Sequence, residues 1–329
     1  MSVMFDHINR RIEYLRISIT DRCNLRCVYC MPEEGVPALR HGEVLSYEEI
    51  IRIVRVAAGA GIKKVRLTGG EPLIRKDVAS LIRQIAAVPG IEDLALTTNG
   101  ILLEKMAGEL AQAGLKRINV SLDSLVPERF EKLTRGADLS AVLSGIAMAE
   151  RAGFLPIKIN MVPIHGLNAD EIQDFARLTL AKPWHIRFIE FMPIGARAMW
   201  DETKVVKTRE VMDAISALGE LEPVESREND GPARHFRLPG AKGLLGFISP
   251  LTAHFCGTCN RLRLTADGKL RPCLFSESEI DLKTPMRAGC DDDELVRLLN
   301  VALSVKPEGH SMARGVQDIY RRTMSKIGG

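Results

Sequence analysis

The chain has 329 residues, 46% of them hydrophobic, enough to bury a large core in one big domain or in one domain plus a smaller one. Its formal net charge of +3 is too small for wholesale binding of a nucleic-acid polymer; no stretch approaches the roughly 18 apolar residues of a membrane span, and no charged-then-apolar leader opens it, so a cytoplasmic protein with no membrane partner is expected. Seven cysteines, an odd number in a reducing compartment, argue against a disulfide framework and for metal binding or catalysis.

The first strand-like run, YLRISIT at residues 14–20, ends in the loop DRCNLRCVYCM, where Cys23, Cys27 and Cys30 stand three and two residues apart. A helical pattern follows, SYEEIIRIVRVAAGAG, with Ser46 placed as an N-cap and Glu49 at the capping-box spacing. Further strand-like runs are KVRLTG (64–69), opening onto GGEP (69–72); DLALTTN (93–99), overlapping TTNG (97–100); RINVSLD (117–123); PIKINMV (156–162); and WHIRFIEFM (184–192). Among the helical stretches between them, DLSAVLSGIAMAERAG closes on a glycine, a common helix stop. This alternation is the α/β signature. Six such repeats without GxGxxG after the first strand suggest an incomplete (β/α)6 barrel of the TIM type rather than a dinucleotide-binding sheet.

Successive strand residues point to opposite faces. One face is apolar, with Leu15, Ile17 and Ile19, Val65 and Leu67, Leu94 and Leu96, Ile118, Val120 and Leu122, and Ile157, Ile159 and Met161. The other carries Arg16, Ser18 and Thr20, Arg66 and Thr68, Thr97 and Asn99, Asn119, Ser121 and Asp123, and Lys158 and Asn160. A closed barrel fills its interior mainly with branched apolar side chains. A polar inner face therefore implies a wide lumen for water or a hydrophilic ligand, and the competing interpretation is an antiparallel sheet with one solvated face. The sixth strand shows no clean phase.

Regular alternation stops at the charged, Gly- and Pro-bearing stretch ESRENDGPAR (225–234), which divides the chain into 1–224 and a smaller 225–329. The second part holds Cys256, Cys259 and Cys273, spaced two and thirteen residues apart. Between the last two, NRLRLTADGKLRP reads as a hairpin turning at Asp267 and Gly268, with Arg261, Arg263 and Thr265 on one face. Two guanidiniums on one strand face suit a polyphosphate, unless the strand is merely a solvated edge. The helix-like DDDELVRLLNVAL and a basic tail ending in Gly328 and Gly329 complete the chain, with no internal repeat.

Three cysteines on a four-iron cubane leave one iron open, whereas a structural zinc site takes four ligands. For the first group a low-potential cluster fits better than zinc, because CxxxCxxC is not a usual zinc spacing. For the second group a zinc ribbon completed by Cys290 competes with another open cubane; Cys290 has no cysteine or histidine neighbour and reads as a small apolar residue. The histidines, His165 and His254 included, receive no role.

The CxxxCxxC loop with Tyr29 before its last cysteine, together with GGEP, resembles the radical S-adenosylmethionine superfamily. Adding TTNG, the second cysteine group with NRLRLT, and the terminal Gly-Gly, nearly the whole chain resembles the GTP 3',8-cyclase family of molybdenum cofactor biosynthesis. The resemblance implies a partial barrel with a smaller C-terminal iron-sulfur domain, two 4Fe-4S clusters on Cys23, Cys27, Cys30 and on Cys256, Cys259, Cys273, and S-adenosylmethionine as cofactor. It implies reductive cleavage to a 5'-deoxyadenosyl radical, hydrogen abstraction from C3' of GTP and closure onto C8. It further implies S-adenosylmethionine contacts at Tyr29, Gly70, Ser121 and Met192, GTP contacts at Arg16, Arg66, Thr97, Lys158, Arg261, Leu262 and Arg263, and a Gly328–Gly329 tail reaching the active site. A low-potential electron donor and a downstream cyclic pyranopterin monophosphate synthase are the implied partners, with a homodimer left open. Two other functions compete: a radical maturase with auxiliary clusters acting on a peptide, and a non-enzymatic zinc-binding module with two cysteine knuckles.

Overall fold

The computed structural model describes residues 3–194, 200–225, 231–310 and 322–328. Six strands, β1 (Tyr14–Ser18), β2 (Lys64–Thr68), β3 (Asp93–Thr98), β4 (Arg117–Ser121), β5 (Lys158–Met161) and β6 (His185–Ile189), pair in parallel in sequence order. Helices connect them, as parallel pairing requires. The helix Tyr47–Ala60 carries the anticipated box, Ser46 Oγ accepting from Glu49 N at 3.2 Å while Glu49 accepts from Ser46 N at 2.7 Å. Left-handed Gly61, φ 118°, ends it, a backbone conformation that favours glycine. The helix Leu139–Arg151 stops shortly before Gly153.

The apolar strand face lies in the core: Leu15, Ile17, Val65, Leu67, Leu96, Ile118, Val120, Ile157, Ile159 and Met161 are all at 0% exposure against the covering helices. The sixth strand has a phase after all. Ile186 and Phe188 join this core while Arg187 and Ile189 face the lumen; His185, which shares their face, obscures the alternation because it can sit on either side.

Six further strands follow: β7 (Glu222–Val224), β8 (Arg234–Arg237), β9 (Leu244–Ile248), β10 (Arg261–Leu264), β11 (Lys269–Arg271) and β12 (Ile280–Asp281). They do not form a sheet of their own. β9 pairs in parallel with β6, and β10 in parallel with β1, giving one twelve-stranded sheet in the order β12-β11-β10-β1-β2-β3-β4-β5-β6-β9-β8-β7. Among the described residues the order is open, an incomplete barrel flanked on both sides by strands from the last third of the chain. The hairpin β10–β11 turns where the sequence places it, with Gly268 at φ 79°. Thr265, however, turns from the lumen to bind the turn itself, its hydroxyl donating to Asp267 Oδ1 at 2.6 Å. No helix among the described residues is long and apolar enough to cross a membrane.

Candidate active site

Alternate residues of β1 to β6, β9 and β10 line one cavity of about 310 Å³. All six cysteines of the two groups lie on its wall, although Cys23 and Cys256 are far apart in sequence. The first loop is held rigid at backbone level. Cys30 N and Met31 N both donate to Cys27 O, at 2.9 and 3.2 Å, and Val28 N donates to Leu133 O at 2.9 Å. Arg135 reaches over to bind Arg26 O at 2.7 Å and Met31 O at 3.0 Å. Cys23 Sγ accepts from Leu25 N at 3.4 Å, the kind of donor that stabilises a thiolate.

These thiols suit a cationic centre. Burial, reinforced by the neighbouring Cys23, pushes Cys30 up to about 12, and burial likewise raises Cys23 and Cys27. Such crowded thiols give up their protons when a metal takes the sulfurs. Among the described residues no three His, Cys, Asp or Glu side chains converge tightly enough to share a single metal ion. A four-iron cubane spreads its ligands more widely, one iron to each thiolate.

The second group is fastened by two cations that inspection of the sequence overlooks. Arg10, paired with Asp6 at 2.5 Å, donates to Cys256 O at 2.7 Å. Lys306, 1% exposed, donates to Arg261 O and Pro272 O, both at 2.8 Å, with Cys259 Sγ 3.8 Å away. Burial opposes ionisation of Cys259, but Arg261 and Lys306 outweigh it and bring this thiol down to about 6. Cys290 packs against the main core and does not line the cavity. His254, given no role above, does stand on the cavity wall, 5.8 Å from the His310 ring.

GGEP makes a close approach, but to the protein itself. Gly70 N donates to Thr20 O at 2.7 Å and Glu71 N to Arg22 O at 2.8 Å, so the motif lies against the entrance to the cysteine loop. A Cβ at Gly70 would sit 2.1 Å from Arg22 O. Gly70→Ala is therefore expected to destabilise the chain by about 1–3 kcal/mol, the range for overpacking. Gly42→Ala, where a Cβ would meet nothing within 4 Å, is the control, and equal thermal midpoints for the two variants would contradict the close approach. The Glu71 carboxylate accepts from Leu73 N, Thr98 Oγ1 and Asn99 N, tying β3 to the same loop; burial still pushes it up to about 7. Tyr29 donates to Asp123 Oδ2 at 2.5 Å, and burial pushes that carboxyl up to about 6.

The sheet register organises the cations. Tyr14 stands between Lys64 on β2 and Arg261 on β10, and Arg16 between Arg66 and Arg263 in the next lumen-facing row. Arg187 faces them from β6, opposite Gly246, where a Cβ would lie 2.9 Å from Arg187 Cγ. Burial and the nearby Arg66 bring Arg187 down to about 9; burial likewise lowers Arg16, to about 10. Nε of Arg66 and Nε of Arg187 have no acceptor among the described protein atoms. Lys64 pairs with Asp93 at 3.3 Å, whereas buried guanidiniums with an open Nε, as in Arg66 and Arg187, call for a polyanion.

Of the residues singled out from the sequence, Tyr29, Gly70, Ser121, Met192, Arg16, Arg66, Thr97, Arg261 and Arg263 all line this cavity. Two do not. Leu262 has its side chain in the hydrophobic core at 0% exposure, because alternation turns it away from Arg261 and Arg263. Lys158 is buried on the lumen-side face of β5, yet Asn160, not Lys158, reaches the cavity wall. Gly328 comes back to the site, its carbonyl accepting from Arg263 Nη1 at 2.8 Å; Gly329 lies outside the described residues. Tyr14, Lys64 and Arg187 went unnoticed as site residues, although all three obey the same alternation of faces.

Two family models match the chain, the radical SAM superfamily over residues 17–179 and Molybdenum Cofactor Synthesis C over residues 184–312. A GTP 3',8-cyclase of Pelotomaculum thermopropionicum is 53% identical over 327 residues, 99% of this chain and 100% of the relative. One from Moorella thermoacetica is 52% identical, again over 99% of this chain and 100% of the relative. Among solved structures, Streptococcus suis SuiB bound to S-adenosylmethionine aligns with TM-score 0.60 at 16% identity, over 88% of this chain and 68% of SuiB. The structure of anSMEcpe with bound AdoMet and Cp18Cys peptide aligns with TM-score 0.52 at 15% identity, over 90% of this chain and 84% of its own. At such identities these two likenesses concern the fold alone.

Proposed function

Since the chain belongs to the GTP 3',8-cyclase family of radical S-adenosylmethionine enzymes, we propose that this one cavity holds both clusters, the cofactor and GTP side by side. The reaction is GTP 3',8-cyclisation, the first step of molybdenum cofactor biosynthesis, and the cofactors are two 4Fe-4S clusters and S-adenosylmethionine. The observation that carries the assignment of sites is that both cysteine groups and the arginine rows line the same cavity.

Cys23, Cys27 and Cys30 would hold the first cluster, and Cys256, Cys259 and Cys273 the second. When bound, the cluster and S-adenosylmethionine would supply a 5'-deoxyadenosyl radical by reductive cleavage for hydrogen abstraction from C3' of GTP; closure of C3' onto C8, followed by uptake of one further electron and a proton, would give the 3',8-cyclised dihydro-GTP. The protein's own part is placement and exclusion of water. Tyr29, Gly70, Ser121 and Met192 form the S-adenosylmethionine end, with Asp123 fixing the Tyr29 ring through its hydroxyl. Arg16, Arg66, Arg261 and Arg263 bind the triphosphate, and Thr97 lies beside them on the lumen wall. Lys158 acts from behind that wall, and Leu262 contributes only backbone. Gly328 places a carbonyl on Arg263, with Gly329 completing the tail.

Residues 1–224 form the radical S-adenosylmethionine unit and 225–329 the auxiliary-cluster and GTP unit, the latter completing the sheet rather than standing apart. The protein works in the cytoplasm with a low-potential electron donor, hands its product to a cyclic pyranopterin monophosphate synthase, and is compatible with a homodimer.

Iron, sulfide and zinc content of the anaerobically purified protein tests this assignment. About eight irons and eight sulfides per chain are expected. About four irons with one zinc would remove the second cluster, and zinc alone after reconstitution would overturn the assignment of both groups.

A further inference from the structure

We propose that Lys306 is a positioning residue and the buried counter-ion of the second iron-sulfur site, its ammonium spanning the Cys259 and Cys273 segments and setting the reduction potential of the cluster they hold. This rests on the reading of the second cysteine group as a 4Fe-4S ligand set and extends it to a residue that no motif contains.

The β10–β11 ladder ends at the pair Arg263 and Arg271, and just past it the chain reaches Cys259 on one side and Cys273 on the other. Lys306 stands where that pairing stops. Its Nζ donates to Arg261 O, two residues after Cys259, and to Pro272 O, one residue before Cys273, both at 2.8 Å. The third contact, at 3.8 Å, is the Cys259 sulfur itself. An ammonium has three hydrogens and this one meets three acceptors, whereas a neutral amine would leave one of them unserved. The residue is also fixed from behind. It follows the helix Asp292–Ser304, its own amide donates to Leu303 O at 3.2 Å, and Arg10 binds the next two carbonyls, Pro307 O at 2.8 Å and Glu308 O at 3.3 Å.

A cation at 1% exposure is costly unless an anion faces it. None of the three acceptors is a carboxylate, while Arg10 already has Asp6 at 2.5 Å. The anion within reach of Lys306 is therefore a cysteine thiolate, and bound iron is what holds that sulfur as a thiolate. Net charge and hydrogen bonds to the sulfurs set the potential of such a cluster, and each electron added makes it more negative. A buried ammonium against one ligand therefore favours the reduced state.

The test is an anaerobic redox titration of the reconstituted holoenzyme followed by electron paramagnetic resonance, the second cluster's signal being the one that persists in Cys27→Ala. Lys306→Gln keeps a hydrogen-bond donor and removes the charge. Its second cluster is expected to titrate at a more negative potential and to hold its iron about 10–100-fold more weakly in chelator competition, the scale for an outer-shell partner, while the first cluster keeps its potential. Lys306→Arg, which restores a cation, is expected to return the second potential toward that of the wild type. An unchanged second potential in Lys306→Gln overturns the counter-ion role, as does an equal negative shift in Lys306→Arg. If Lys306→Gln takes up no second cluster and Lys306→Arg does, the role stands; failure of both variants to take it up overturns it in favour of a purely structural lysine. Wild-type holoenzyme with about four irons and a zinc overturns the reading of the second group, and with it the proposal.

Discussion

Cys27→Ala is expected to abolish cleavage of S-adenosylmethionine. The residue matters twice over. Its sulfur is one of three thiols in the first group, and its carbonyl takes the amide hydrogens of Cys30 and Met31 that close the loop. The substitution leaves those backbone bonds in place and removes only the sulfur, so the loop should keep its shape and lose its ligand. Loss of an outer-shell partner alone typically costs about 10–100-fold in metal affinity or activity, and loss of a ligand should exceed that. Iron content should fall toward about four per chain, because the second cysteine group is held independently by Arg10 and Lys306. Full cleavage by the variant would contradict the assignment of the first cluster.

Arg263→Ala separates the two halves of the reaction. Arg263 is 6% exposed, lines the cavity beside Arg16, and donates to the Gly328 carbonyl. Removing it takes a guanidinium from the proposed triphosphate site and the anchor from the Gly328 carbonyl. A charge-assisted hydrogen bond contributes about 1.5–3 kcal/mol, so GTP affinity should fall by roughly 10–100-fold. Cleavage of S-adenosylmethionine without GTP turnover should persist, since the residues proposed for that end of the cavity lie outside the β10–β11 hairpin, on β4 and in the loops after β1, β2 and β6. Unchanged GTP affinity would take the hairpin arginine out of the substrate site.

The arginine rows also bear on the competing enzyme reading. A peptide maturase needs a groove for an extended chain, whereas this cavity gathers buried guanidiniums from β1, β2, β6 and β10 around one space. That concentration suits a compact polyanion. The full-length relatives at 50% identity and above are cyclases, in keeping with the arginine set.

Where the sequence misled, the cause is specific. Leu262 was included with its flanking arginines as one stretch, although alternation assigns it to the opposite face. Arg187 was passed over because its strand begins with a histidine, which suits either face. Nothing in the GGEP motif announces that its second glycine makes room for the Arg22 carbonyl. Lys306 and Arg10 carry no motif, and their importance depends on which carbonyls the fold brings to them.

The sequence by itself determined the properties that are local: the cysteine spacings, the capping of the helix Tyr47–Ala60, the hairpin at Gly268, and the division of each early strand into apolar and polar faces. These follow from side-chain chemistry and from a two-residue period, which need no distant partner. Only the tertiary structure decided that β9 and β10 join opposite sides of the six-stranded sheet, so that one cavity receives both cysteine groups. It also decided that Tyr14 stands between Lys64 and Arg261. Strand neighbours and register are set by hydrogen bonding between segments far apart in the chain, and no local period carries that information.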